Sequence, residues 1–219
     1  MKRFDIIDKN ELKSVILSTK ADFFNIEKEI CDKIFFYEES IIKYILKHDY
    51  NFLTNNEQMF LQGEAKKKID NKREVIKKSI NKKLSDYIKC EKSINIKGFL
   101  TFRLKEYIKN IEDFILISVN DFIVKNEYND LIEGLTMYAE LQSPLIDLIK
   151  ISQMNDCIIM TDLNGKEFFS LTGYDDILLD VLMTLSPREI LVIDSEKFKN
   201  KELLNTIMKI YNNRVKLIN

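Results

Sequence analysis

Tryptophan is absent from this 219-residue chain, histidine occurs once, proline twice and glycine five times. A single histidine, His48, cannot build an imidazole metal site. There is no HExxH, no second imidazole and no cysteine ligand at finger spacing. A Ser-His-Asp arrangement would have to use His48, which stands beside Asp49 at the expected end of a helix, where an imidazole simply complements the helix dipole. The glycines, at positions 63, 98, 134, 165 and 173, form neither GxGxxG nor GxxxxGKS/T. Backbone cradles for nucleotide phosphates are therefore missing, so ATP- or NAD-driven chemistry is not expected. No cofactor is expected.

Three cysteines, Cys31, Cys90 and Cys157, are an odd number at wide spacing and suit neither a disulfide framework nor a CxxC site. Long apolar runs are also missing. The stretches free of Asp, Glu, Lys and Arg reach seven residues, as at 114–120, against the ~20 that a membrane helix requires. Acids in the opening Met-Lys-Arg-Phe-Asp-Ile-Ile-Asp interrupt what would be the apolar core of a signal peptide. The expectation is a cytoplasmic protein without a transmembrane segment.

What is present is a composition of 45% hydrophobic and 32% charged residues, which fits a helix-rich globular chain. The net charge of −1 hides an asymmetry, because residues 66–92 carry 11 basic and 4 acidic side chains. Apolar residues at Ile26, Ile30, Ile34, Tyr37, Ile41 and Ile45 mark one face of a helix over 25–47. Thr54 with Glu57 three residues on is a capping-box signature, and it predicts a second helix running to about residue 89. Leu61, Ala65, Ile69, Ile76, Ile80, Leu84 and Tyr87 form that helix's narrow apolar seam, with lysines over most of the remainder. A third helix follows from Leu100, Leu104, Tyr107, Ile108, Ile111, Ile115, Val119 and Phe122. A fourth, over 128–141, is expected to end before Ser143-Pro144.

After Pro144 the pattern changes to short β-rich runs at 146–152, 157–161 and 168–171, with Asn164-Gly165 as a hairpin signal. Helix (176–185), strand (190–194), helix (200–211) and strand (215–218) complete a parallel pair with a helical crossover. The fold class is thus expected to be α+β. An all-helical N-terminal part of long antiparallel helices, 1–143, precedes a small α/β module, 144–219, with a β-hairpin and a βαβ unit.

Three features invite a chemical reading. The basic helix 66–92 supplies clustered lysine that attracts a phosphate backbone or an anionic surface. With Arg73 its one arginine and Tyr87 its one aromatic, neither base readout nor stacking is supported, and a solvated face is preferred. Arg103, at the margin of an apolar face, suits a carboxylate or phosphate, or equally a structural ion pair with Glu106 or a distant acid. The candidate interaction or anion-binding residues are Arg103, Tyr107, Lys66, Lys67, Arg73 and Lys77. Acids at strand ends, Asp162 and Asp194, together with Asp175 and Asp176, are where a Mg²⁺ site of a phosphoryl-transfer enzyme would sit. Against that, Asp175 and Asp176 suit an N-cap and Asp162 a hairpin turn.

The stretch Ile96-Lys97-Gly98-Phe99-Leu100-Thr101-Phe102-Arg103-Leu104-Lys105-Glu106-Tyr107, followed by Lys125-Asn126-Glu127-Tyr128, resembles the central region of the YtxC family of endospore-forming bacteria. So does the run from Asp175-Asp176-Ile177-Leu178-Leu179 through Ser186-Pro187-Arg188-Glu189-Ile190 and Asn200-Lys201-Glu202-Leu203-Leu204 to Arg214-Val215. The resemblance is good from about residue 94 and weaker over 26–92. It departs at the family's longer N-terminus and at a polar pair, often with a histidine, where this chain has Asp194-Ser195. The resemblance implies a cytoplasmic protein associated with sporulation, with no assigned reaction, cofactor or partner. Together with the missing catalytic constellations it leads to the expectation of a non-enzymatic interaction or structural protein with protein partners. Nucleic-acid or anionic-surface binding is the alternative, and Mg²⁺-dependent phosphoryl transfer the third reading.

Overall fold

A computed structural model describes residues 1–9, 11–155, 157–172 and 175–218, of which 168–172 and 175–176 are described by backbone alone. The chain divides into two compact units, Met1–Val124 and Lys125–Asn219.

The first unit opens with an antiparallel hairpin of β1 (Lys2–Asp8) and β2 (Glu11–Leu17). Much later in the chain β3 (Ser93–Asn95) adds to β1 in parallel. Phe4 and Ile6 alternate inward from β1 and are 0% and 2% exposed, and Ile94 of β3 is equally buried. The N-terminal part, expected to be helical throughout, therefore also carries a three-stranded sheet.

Five helices follow within this unit: α1 (Lys20–Phe36), α2 (Glu38–Asp49), α3 (Asn55–Asn71), α4 (Arg73–Cys90) and α5 (Ile96–Arg103). A sixth, α6 (Lys105–Leu141), runs through the division between the units. Two of them start on reciprocal caps. Thr19 accepts from the N–H of Asp22, whose carboxylate accepts from the N–H groups of Ser18 and Thr19 at 2.9 and 2.8 Å. The Thr54–Glu57 pair does the same for α3, as its sequence signature predicts.

The long helices expected from periodicity are redistributed. The predicted first helix breaks at Tyr37 and the predicted second at Lys72, while the predicted third and fourth are joined in α6, which begins after a break at Leu104. None of the three break points is glycine or proline. On both sides of Lys72 the apolar stripe stays buried, with Leu61, Ala65 and Ile69 of α3 and Ile76, Ile80, Leu84 and Ile88 of α4 at most 6% exposed. At ~1.5–3 kcal/mol for each large side chain buried, their packing holds both helices to the core across the break.

The second unit takes the end of α6, then β4 (Ile146–Met154), β5 (Cys157–Thr161), β6 (Glu167–Thr172), α7 (Asp175–Leu185), β7 (Pro187–Ile193), α8 (Lys201–Tyr211) and β8 (Val215–Ile218). The sheet order is β6-β5-β4-β7-β8, with β4-β5-β6 an antiparallel meander and β7 parallel to both β4 and β8. The turn into β6 has Gly165 at φ +79°, a left-handed position that favours glycine. Ile149, Ile151, Ile158, Met160, Ile190 and Val192 form the buried face of the sheet, packed with Leu178, Leu182 and the Leu203, Leu204, Ile207, Ile210 stripe of α8. The α+β class is as the sequence predicts. Among the described residues no helix is long and apolar enough to cross a membrane.

Candidate interaction site

Two of the sequence candidates, Arg73 and Tyr107, meet on a residue outside the candidate set, one of the adjacent acids Glu38-Glu39. Glu38, the first residue of α2, is 3% exposed. Its two carboxylate oxygens accept from the Arg73 guanidinium at 2.7 and 2.8 Å, and one accepts from the Tyr107 hydroxyl at 2.6 Å. Arg73 also donates to Asp70 and lies 4.5 Å from the centroid of the Phe35 ring. The bond to Glu38 raises the Arg73 pKa, and burial followed by the same carboxylate raises that of Tyr107. Every charge here has a partner. The cluster ties α2, α4 and α6 together and offers no free group to a ligand.

The remaining basic candidates are dispersed. Lys66 lines a cleft of about 510 Å³ that also includes Glu39, Lys43, Gln62 and Arg73. Lys67 pairs with Glu64 one turn away. Lys77 lies close enough to Cys31 to act on its thiol, which burial nevertheless pushes up to about 11. Arg103 is exposed beside Tyr87, Phe99 and Cys90 in a hollow of about 400 Å³. The ion pair considered between Arg103 and Glu106 does not form; Glu106 pairs instead with Lys83 of α4 at 3.2 Å.

Of the acidic candidates, Asp162 and Asp194 are not brought together. Asp162 accepts the N–H groups of Asn164 and Lys166, both at 2.8 Å, and so builds the β5–β6 turn. Asp194, at φ +52°, pairs with Lys197. Thr161 sits opposite Lys150 on one side of β4 and Ile193 opposite Ser152 on the other, with β5 antiparallel and β7 parallel to β4. The two acids therefore leave the sheet in opposite directions from different strands. The side chains of Asp175 and Asp176 lie outside the described residues. Among those that are described, no group of three or more His, Cys, Asp or Glu is placed to hold a metal.

A larger site escaped the sequence reading. Between the α1–α2 bend and the starts of α5 and α6 lies a half-open groove of about 1060 Å³. Its floor is apolar, formed by Tyr37, Ile41, Ile45, Leu100 and Ile108, and Phe36 and Tyr44 stand at its mouth, 74% and 64% exposed. Lys9, Lys97, Lys105 and Lys109 rim it with one acid, Glu112. Among the described residues Lys97, Lys105 and Lys109 make no ion pair. The β1–β2 turn is pinned to this bend, since Asp8 accepts from the Tyr37 hydroxyl and pairs with Lys33 at 3.2 Å. That anchor holds the Lys9 ammonium 5.8 Å from the Phe36 ring centroid. Burial and the neighbouring Asp8 push the Tyr37 phenol up to about 12, so it remains a neutral donor. One sequence signal was available: Phe36 lies off the apolar stripe of the helix expected over 25–47, where a solvated surface calls for polar residues.

Comparison with curated proteins and with solved structures gives no match. A family model does match, beginning within α1 and ending within β8, and so takes in the bend, the Glu38 cluster, most of the groove and the C-terminal sheet. With residues 24–216 covered, the chain belongs to the YtxC-like family.

Proposed function

We propose that this protein is a non-enzymatic interaction protein acting in sporulation from the cytoplasm, and that it holds a protein partner in the groove between the α1–α2 bend and the starts of α5 and α6. The observation that carries this reading is the groove's lining: an apolar floor, two aromatic side chains standing in solvent at its mouth, and a rim of lysines with one acid. Exposed aromatics around a concave apolar surface are what protein interfaces use as anchors. The family resemblance supports the sporulation setting.

The test is recovery of partners from sporulating cells on the tagged full-length chain, compared with Ile41→Glu, which places a charge on the half-buried floor. A partner retained by the native chain and lost with Ile41→Glu supports the reading. Failure to recover any stable partner, together with a measurable turnover by the chain, overturns it.

A second reading has one observation in its favour. Lys78, Lys82 and Lys89 are exposed on α4 and make no ion pair among the described residues, so they are free to attract an anionic surface. Duplex binding through them would weaken with salt at a log-log slope of about −0.9 per phosphate neutralised. Absence of binding at low salt removes this reading. Arg73, the one arginine of the segment, is already committed to Glu38.

A further inference from the structure

Resting on the groove as the docking site proposed above, we infer that its occupant is an acidic amphipathic helix of a partner protein. Three observations converge on that class. The first is the backbone around the site: the floor and mouth come from α1, α2, α5 and α6 and from Tyr37 at the bend between α1 and α2. The one strand residue of the lining is Asn95, the end of the three-residue edge strand β3, and its side chain caps α5. A strand edge that short gives strand addition little backbone to use, and the recognition mode favoured is an apolar helix face laid into a groove.

The second is charge. Four lysines stand against one glutamate, and among the described residues three of those lysines make no ion pair. Apolar side chains alone would seat any greasy helix, but this rim discriminates. It attracts segments that carry Asp or Glu beside their apolar stripe and repels basic ones. The third is the type of cation. The rim holds lysine and no arginine. Lysine is a point charge on a flexible stem, suited to diffuse carboxylate attraction, whereas a phosphopeptide is read by the bidentate fork of arginine. A volume of about 1060 Å³, open along one side, accommodates two turns of a helix with large apolar residues at i, i+3 or i+4, and i+7.

The experiment places benzoylphenylalanine at Tyr44 in the full chain, irradiates sporulating cells, and identifies the adduct by mass spectrometry. Tyr44 is exposed, so the replacement leaves the core intact. The expected adduct is a segment with helical apolar spacing and at least as many acids as bases. The triple variant Lys97→Glu, Lys105→Glu, Lys109→Glu, whose sites are all exposed, is expected to lower its yield by about tenfold or more. An adduct on a basic or extended segment, or a yield unmoved by the triple variant, overturns this inference and leaves the docking site standing. An adduct on lipid alone, or none on any protein, overturns both. In parallel, the purified chain is mixed with phosphatidylglycerol vesicles. Binding that needs the same three lysines, with no protein adduct in cells, assigns the groove to a membrane instead.

Discussion

In the unit Met1–Val124 a carboxylate, Glu38, is 3% exposed and tied to an arginine and a tyrosine from two other helices, whereas the buried polar side chains described in Lys125–Asn219 are the serines 186 and 195. Both units bury isoleucine and leucine to near zero exposure. They differ in what selects one packing over its neighbours. In the second unit the backbone ladders of five strands fix which residues face which, and apolar side chains fill the face so defined. Helices have no such ladder between them and can slide or rotate at modest cost while remaining greasy on one side. A paired buried charge removes that freedom, because any other arrangement leaves it desolvated and alone.

The sharpest way to break this contrast is Arg73→Ala. It strands Glu38 without its cation, and a loss of about 3–5 kcal/mol is expected, read as a lower urea midpoint. A cost below about 1 kcal/mol would mean the cluster does not hold the helices. In the second unit the matching experiment is purely apolar: Leu182→Ala, at a fully buried site, is expected to cost about 3 kcal/mol through lost burial and the cavity left behind. Tyr107→Phe removes one donor from Glu38 while keeping both bonds from Arg73, so about 1.5–2 kcal/mol is expected.

The smallest effect sharpens the comparison through thiols. Cys31 is buried in the first unit, Cys90 exposed, and Cys157 of the second unit half-buried. At pH 8 an alkylating reagent should take Cys90 at once and Cys31 only as the first unit opens. The Cys31 pKa, pushed to about 11 by burial from an ordinary 9, is a raised one. Its contribution to stability is complete below pH 9 and is lost as pH rises through 11, where the unfolded thiol ionises first. Urea midpoints at pH 8 and pH 10.5 for the native chain and Cys31→Ala should therefore diverge. Labelling of Cys31 and Cys157 at different urea concentrations would show that the units unfold separately.

How much of this was legible followed the range of the determining interaction. Asn164-Gly165, the Thr54–Glu57 cap and the strands 157–161 and 215–218 are set by neighbours in sequence, and they stand where they were expected. The breaks at Tyr37, Lys72 and Leu104 fall on residues that are neither glycine nor proline, so no local breaker marks them. The strand of Phe4 and Ile6 was hidden because few of its residues are fully buried, and its parallel partner lies far down the chain. Arg73 and Tyr107 were picked as ligand-binding candidates on residue type. Their actual partner, Glu38, is distant in sequence and could not be paired with them by spacing. The groove was missed for the same reason, since its walls come from segments that only folding makes adjacent.

The parallel pairing of β3 with β1 also sets an order of events. Asp5 and Ser93 sit side by side, so on a ribosome adding ~5–20 residues each second the hairpin waits several seconds for its third strand. Over that interval one rim of the ribbon is an open template for stray strands.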